Sequence, residues 1–140
     1  MKLKKCFIVT NHNLCTDGAL LVMRVVAGLA FVYHGWPKIQ NPFGWMGPDA
    51  FAPGALQALA ALSEFGGGLC LVFGLLVPLS SLGIASTMLV AVYMHAIIMG
   101  DPFVSKAGGS YELAAIYLCL CMVFLAAGPG RFSADKKIFG

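Results

Sequence analysis

Four apolar stretches, at about residues 18–38, 56–77, 79–99 and 111–128, commit most of this 140-residue chain to helices that cross a membrane. A spanning helix needs about 20 predominantly apolar residues. Composition closes off the soluble alternative, because only 11% of the residues are charged and 59% are hydrophobic, whereas an ordinary soluble domain is about 25% charged. A chain this short has too little interior to hide the surplus apolar surface. The expected fold is therefore all-α, a membrane-embedded four-helix bundle. Its transmembrane domain covers residues 18–130, between a basic lead-in at 1–17 and a basic tail at 131–140.

Charge placement orients the bundle. Lys2, Lys4, Lys5, Arg131, Lys136 and Lys137 flank its ends, while the two long loops offer only Lys38 and Lys106. The positive-inside rule then places both termini in the cytoplasm, as for a multi-pass protein of a bacterial inner membrane. The basic start resembles a signal peptide, but the apolar run Cys6-Phe7-Ile8-Val9 is too short for one. Asn41-Pro42, Gly47-Pro48 and Pro53-Gly54 punctuate the first loop, and Gly100-Asp101-Pro102 with Gly108-Gly109 the third. Spans two and three are separated only by Pro78 and the Ser80-Ser81 pair, which predicts a tight helical hairpin. Trp36, Phe43, Trp45, Phe51 and Phe103 near the long loops suit an interfacial aromatic belt or simple loop packing. Gly28 and Gly35 on span one, and Gly67 and Gly74 on span two, recur at the same spacing, so these two pairs are expected to bring the helices together.

Ionisable side chains within the hydrocarbon cost about 2.5–3.5 kcal/mol each on insertion scales, so each needs a partner or a purpose. Arg24, His34, Lys38, Glu64, His95 and Glu112 are the candidates. His34 and Lys38 share a face in the last turns of span one. At a 1.5 Å rise, Glu64 lies about 12 Å and His95 about 6 Å below the outer ends of their spans. Glu112 stands at the outer mouth of span four. Five of the six thus converge on one leaflet and make a candidate polar site. Arg24 lies near the other end of span one, where it snorkels or reaches Glu64 as a structural clamp.

Other chemistries fit less well. Seven Lys and two Arg, mostly at the chain ends, form no nucleic-acid patch. The five cysteines include no Cys-x-x-Cys, and Cys119 and Cys121 point about 200° apart on one helix. A bis-histidine haem between His34 and His95, or a metal ion held by two His and two Glu, is disfavoured against histidines bonded to their neighbours, and no metal ligand is assigned.

The order of motifs resembles the DoxX family of small four-helix membrane proteins. The resemblance rests on Arg24, Gly28, Phe31 and His34-Gly35-x-x-Lys38, then Glu64-Phe65-Gly66-Gly67-Gly68 through Gly74-Leu75-Leu76, then Met88 to His95. It continues through Tyr111-Glu112 to Gly128-Pro129-Gly130-x-x-Ser133-x-Asp135. It implies a membrane bundle tied to redox chemistry, since relatives include a subunit of a thiosulfate:quinone oxidoreductase and partners in oxidoreductase complexes linked to thiol stress. The chain departs from the family at Val77-Pro78, where a polar or basic residue often follows Gly-Leu-Leu.

Residues and resemblance together lead to a membrane subunit or partner of a quinone-linked oxidoreductase. In that reading Glu64 and His34 act in proton exchange and hydrogen bonding, Lys38, His95 and Glu112 bind the substrate, and Arg24 is structural. The implied partners are the lipid bilayer, a quinone, an oxidoreductase subunit and further copies of the chain. The alternative is a non-enzymatic carrier or accessory protein that uses the same pocket for a small molecule or a partner's segment.

Overall fold

A computed structural model of the chain describes residues 12–140, so the basic stretch through Lys5 and Cys6 lies outside the described residues. Asn13 opens α1 (Leu14–Gln40) by accepting the Thr16 N–H at 2.8 Å, an N-cap that satisfies one of the donors a helix start leaves free. Pro37 sits in the last turn of α1, and the helix ends at Gln40. α2 (Gly54–Phe73) follows Pro53 and stops at Gly74, whose φ of +68° is the left-handed conformation that closes a helix. Leu76 is also left-handed, at φ +48°. α3 (Val77–Tyr93) starts immediately afterwards with Pro78 in its first turn, where a missing N–H costs nothing. It runs without a break into a π-helical turn, Met94–Ile98. α4 (Glu112–Ala127) and the short α5 (Ala134–Phe139) complete the chain, and no strand occurs among the described residues.

The all-α expectation matches this architecture. Three helices are long and apolar enough to cross a membrane: α1, α2, and α3 with its π turn, Val77–Ile98. The fourth expected window holds a shorter apolar helix of 16 residues. Helices pack in chain order, α1 on α2, α2 on α3 and α3 on α4. Leu20, Phe31, Leu71, Val77, Ile84, Met88, Cys121 and Phe124 form the core. Val22, Val26, Leu59, Leu62, Leu82, Leu89, Ile116 and Met122 remain exposed around it. A small core inside an apolar exterior is the distribution expected of a bundle solvated by lipid.

Glycine sets the closeness of α1 and α2, but through different partners than the sequence spacing suggests. A Cβ on Gly28 would lie 2.7 Å from the Gly68 carbonyl oxygen, and one on Gly68 would lie 2.8 Å from the Gly28 oxygen. Gly67, one residue away and so rotated by about 100°, faces α3 instead, with Ile84 Cδ1 at 3.2 Å from its would-be Cβ. Gly74 is not on a helix face at all. It caps α2 beneath the Arg24 guanidinium.

At this turn end of the bundle the C-terminal segment is docked. Asp135, fully buried, accepts the Leu76 N–H at 2.7 Å and the Val77 N–H at 2.9 Å, and its own N–H donates to the Gly74 carbonyl at 2.9 Å. Ser133 caps α5 and donates its hydroxyl to the Gly130 carbonyl at 2.7 Å. Asp17 accepts the Arg131 N–H at 3.0 Å, with the Arg131 Nε 3.0 Å from its other oxygen. His12 Nε2 lies 2.8 Å from the Ala127 carbonyl oxygen, tying the start of α1 to the end of α4.

Candidate functional site

The opposite end, which carries the two long loops, gathers most of the expected polar residues. Lys38, in the last turn of α1, reaches both carboxylate oxygens of Glu64 at 2.7 Å. Gly35 makes this possible one turn earlier, because its missing side chain lets the backbone at Phe65 approach. The pair is well removed from water, with side-chain exposures of 24% for Lys38 and 4% for Glu64. The Lys38 ammonium also stands 4.5 Å from the centroid of the Trp45 ring, a cation–π contact from the first loop. Trp45 is itself held, its Nε1–H donating to the Gln57 carbonyl at 3.0 Å.

Gln57 is the fastener of that loop. Only 4% exposed, it accepts the Met46 N–H at 3.1 Å and donates Nε2 to the Ala52 carbonyl at 2.9 Å. Gln57 is not among the residues expected from the sequence, because its amide carries no charge. A signal was nevertheless present, since Gln57 stands in the apolar start of span two, where an amide needs partners.

Two cavities meet at the ion pair. The larger, about 790 Å³, is a cleft between the loop-side halves of α2 and α3, roofed by Trp45, Phe51 and Pro53 of the first loop. Its walls are mostly apolar, and exposed Leu56, Leu59, Ser86 and Val90 form its rim. The Ser86 and Thr87 hydroxyls donate to carbonyls of their own helix, Leu82 at 2.9 Å and Ile84 at 2.8 Å. The smaller cavity, about 240 Å³, is lined by His34, Ser110 and Tyr117 with Phe31, Met88 and Leu113. Lys38, Glu64 and His95 line both cavities. The arrangement is a mostly apolar slot that ends at paired charges able to donate and accept hydrogen bonds.

His95 lies on the π turn and is hydrogen-bonded through Nδ1 to Asp101 Oδ2 at 2.6 Å. Asp101 was not among the residues expected from the sequence, where it reads as part of a Gly-Asp-Pro loop breaker. Glu112 stands in the first turn of α4 and lines neither cavity; its N–H donates to the Phe103 carbonyl at 3.0 Å. His34 borders the smaller cavity from a largely exposed position.

Arg24 does not reach Glu64. Fully buried, it donates to the Leu71 carbonyl at 3.1 Å and the Phe132 carbonyl at 2.7 Å, so it joins α1 to the end of α2 and the C-terminal segment. The clamp considered from the sequence is thus made at the turn end, with backbone carbonyls in place of a carboxylate. Among the described residues no three His, Cys, Asp or Glu side chains cluster as metal ligands would.

Comparison with known proteins agrees with the motif order. The DoxX family profile matches residues 19–96, which is α1 through the first half of the π turn. The chain is also similar to the inner membrane protein YqjF of Escherichia coli strain K12, at 30% identity over 129 residues, covering 87% of this chain and 93% of that protein. No solved structure matches it. On these matches and on the membrane-spanning character of its helices, the chain belongs to the DoxX family of integral membrane proteins.

Proposed function

We propose that this protein is the membrane subunit or partner of a quinone-linked oxidoreductase, with a quinone headgroup bound at the Lys38–Glu64 pair and its isoprenoid tail in the cleft between α2 and α3. The observation that carries the reading is a nearly buried ion pair at the head of a mostly apolar cleft of about 790 Å³ whose rim is exposed. Membrane ion pairs are costly to keep and mark binding or proton sites by default. A small amphiphile entering sideways from lipid would meet the apolar walls first and the charged head last.

The roles follow from the donor inventory. Lys38 has three N–H donors and Glu64 has two acceptor oxygens, so their mutual contact leaves capacity for a ligand. A quinone carbonyl would accept from Lys38, with His34 as the donor to the second oxygen and His95 beside the headgroup. Two electrons from a partner oxidoreductase subunit and two protons convert the quinone to its quinol, and Glu64 would exchange one of those protons. The charge distribution supports cytoplasmic termini and a site on the outer side, and the name of the similar E. coli protein supports the inner membrane as its location.

The test is to purify the protein in mild detergent, extract it with organic solvent and quantify quinone by chromatography. Near-stoichiometric quinone, reduced at least tenfold in a Glu64→Gln, His34→Ala double variant, is the expected result. Quinone content unchanged in that variant refutes the site. A different amphiphile in the extract would support the carrier alternative.

A further inference from the structure

Three observations converge on the His95–Asp101 pair, which the function proposed above uses only as a possible ligand contact. First, Asp101 Oδ2 lies 2.6 Å from His95 Nδ1, and the Asp101 N–H donates to the His95 carbonyl at 2.8 Å, so loop and helix are joined twice at the same two residues. Second, His95 sits on the π turn Met94–Ile98, whose wider winding shifts side chains off the regular helical register. Third, Gly109 leaves room for this carboxylate, since a Cβ there would strike Asp101 Oδ2.

An ionised carboxylate only accepts hydrogen bonds, so the proton in this contact belongs to Nδ1. In a neutral imidazole the other nitrogen is then a bare acceptor. Nε2 of His95 has no partner among the described residues, and the side chain borders both cavities. We propose that Asp101 is a positioning residue that holds His95 as its Nδ1–H tautomer, and that the site therefore selects a headgroup bearing a hydroxyl donor, the quinol rather than the quinone. The ligand class rests on the function proposed above; the tautomer does not.

The consequence is thermodynamic. One hydrogen bond available only to the reduced form favours it by about fivefold, and by about tenfold at the upper end of what such a bond contributes. Tenfold tighter binding of quinol raises the two-electron potential of the bound couple by about 30 mV. Bound quinone is then easier to reduce than quinone free in the bilayer.

Two measurements decide the two parts. In protein labelled with 15N-histidine, two-bond nitrogen–proton correlations identify each tautomer, and His95→Gln assigns one of the three histidine signals. The expected result is Nδ1–H at His95. Asp101→Leu and Gly109→Ala should lose that signature, and Asp101→Glu should restore it. An Nε2–H tautomer in the wild type, or an unchanged His95 signal in a folded Asp101→Leu variant, overturns the positioning role, and a doubly protonated His95, whose Nε2 is a donor, overturns the hydroxyl-donor assignment. For the ligand, short-chain ubiquinone and its dithionite-reduced quinol are titrated separately into protein freed of endogenous lipid. A quinol preference of about three- to tenfold, abolished by Asp101→Leu, is the expected outcome. Equal affinities, or tighter quinone binding, overturn the hydroxyl-donor assignment. Failure of both forms to bind removes the quinone reading and the ligand class with it, while the tautomer measurement still decides the role of Asp101.

Discussion

Separating what the Lys38–Glu64 pair contributes to folding from what it contributes to binding requires a double-mutant cycle. Removing one partner of a buried pair leaves an uncompensated charge and costs about 3–5 kcal/mol. Glu64 is the deeper member at 4% side-chain exposure against 24% for Lys38. Lys38→Met, which strands the carboxylate, should therefore fall at the upper part of that range. Glu64→Gln strands an ammonium that can swing towards water on a flexible stem, and its cost should lie near 3 kcal/mol. Replacing both leaves no charge to strand, and the double variant should be within about 1–2 kcal/mol of wild type. The coupling energy is then at least about 3 kcal/mol. At roughly 3–5 °C per kcal/mol for a chain of this size, each single variant should unfold at least about 10 °C earlier in detergent, and the double variant within a few degrees of wild type. Intrinsic fluorescence of Trp36 and Trp45 reports the transition. A double variant as unstable as the sum of the singles would show that the two side chains act independently and that their pairing contributes nothing to stability.

Four further predictions test other parts of the structure. Asp135→Ala removes the acceptor for the Leu76 and Val77 N–H groups, so it should cost about 2–4 kcal/mol in thermal or denaturant unfolding, with Asp135→Asn, which keeps one acceptor oxygen, losing about half as much. Gly28→Ala pushes a methyl against the backbone of α2, with the Gly68 oxygen at 2.7 Å and the Val72 nitrogen at 2.9 Å, and should cost about 1–3 kcal/mol. Gly18→Ala, with nothing within 4 Å of the added carbon, should instead gain about 0.5–1 kcal/mol in the same assay. Cys15, exposed in the first turn of α1, should react with a membrane-impermeant maleimide in inside-out but not right-side-out vesicles of a Cys6→Ser variant. Labelling from the outer face would invert the proposed orientation.

The helices were legible because apolar length in a membrane chain leaves few alternatives, and the breaks carried Pro and Gly where helices must stop. Within the site, Lys38 and Glu64 stood out for the same reason: a charge in an apolar run demands a partner. What stayed hidden depends on how the segments outside the spans fold back onto them. Asp135 sits in a tail that reads as basic and soluble, yet it caps a turn about 60 residues earlier. Asp101 reads as a loop residue, yet the chain turns back after the π turn and sets its carboxylate against His95. Gly28 and Gly35 do face α2, but the glycine face expected of α2 failed for a local reason. A seven-residue spacing shows that two glycines share a face, but not which face meets the neighbour, and the choice between Gly67 and Gly68 is a rotation of about 100°.

The two ends of the bundle use similar groups differently, and the partners they choose tell them apart. Arg24 and Asp135 are fully buried, and their hydrogen bonds go to main-chain groups: the Leu71 and Phe132 carbonyls and the Leu76 and Val77 N–H groups. These lie where α2 ends, where α3 begins and in the segment before α5, and helix ends leave such groups without intrahelical partners. A bilayer offers no water to satisfy them, so side chains must. Folding therefore accounts for these contacts at the turn end. Lys38 and Glu64 satisfy no helix terminus; each bonds the other, side chain to side chain. Well-packed apolar residues in their place would hold α1 to α2 at least as well, because the desolvation of two charges offsets most of their attraction. What apolar residues would remove is the polar head shared by the two cavities, and under the function proposed above it is this head, rather than any need of the fold, that gives the ion pair a reason to be there.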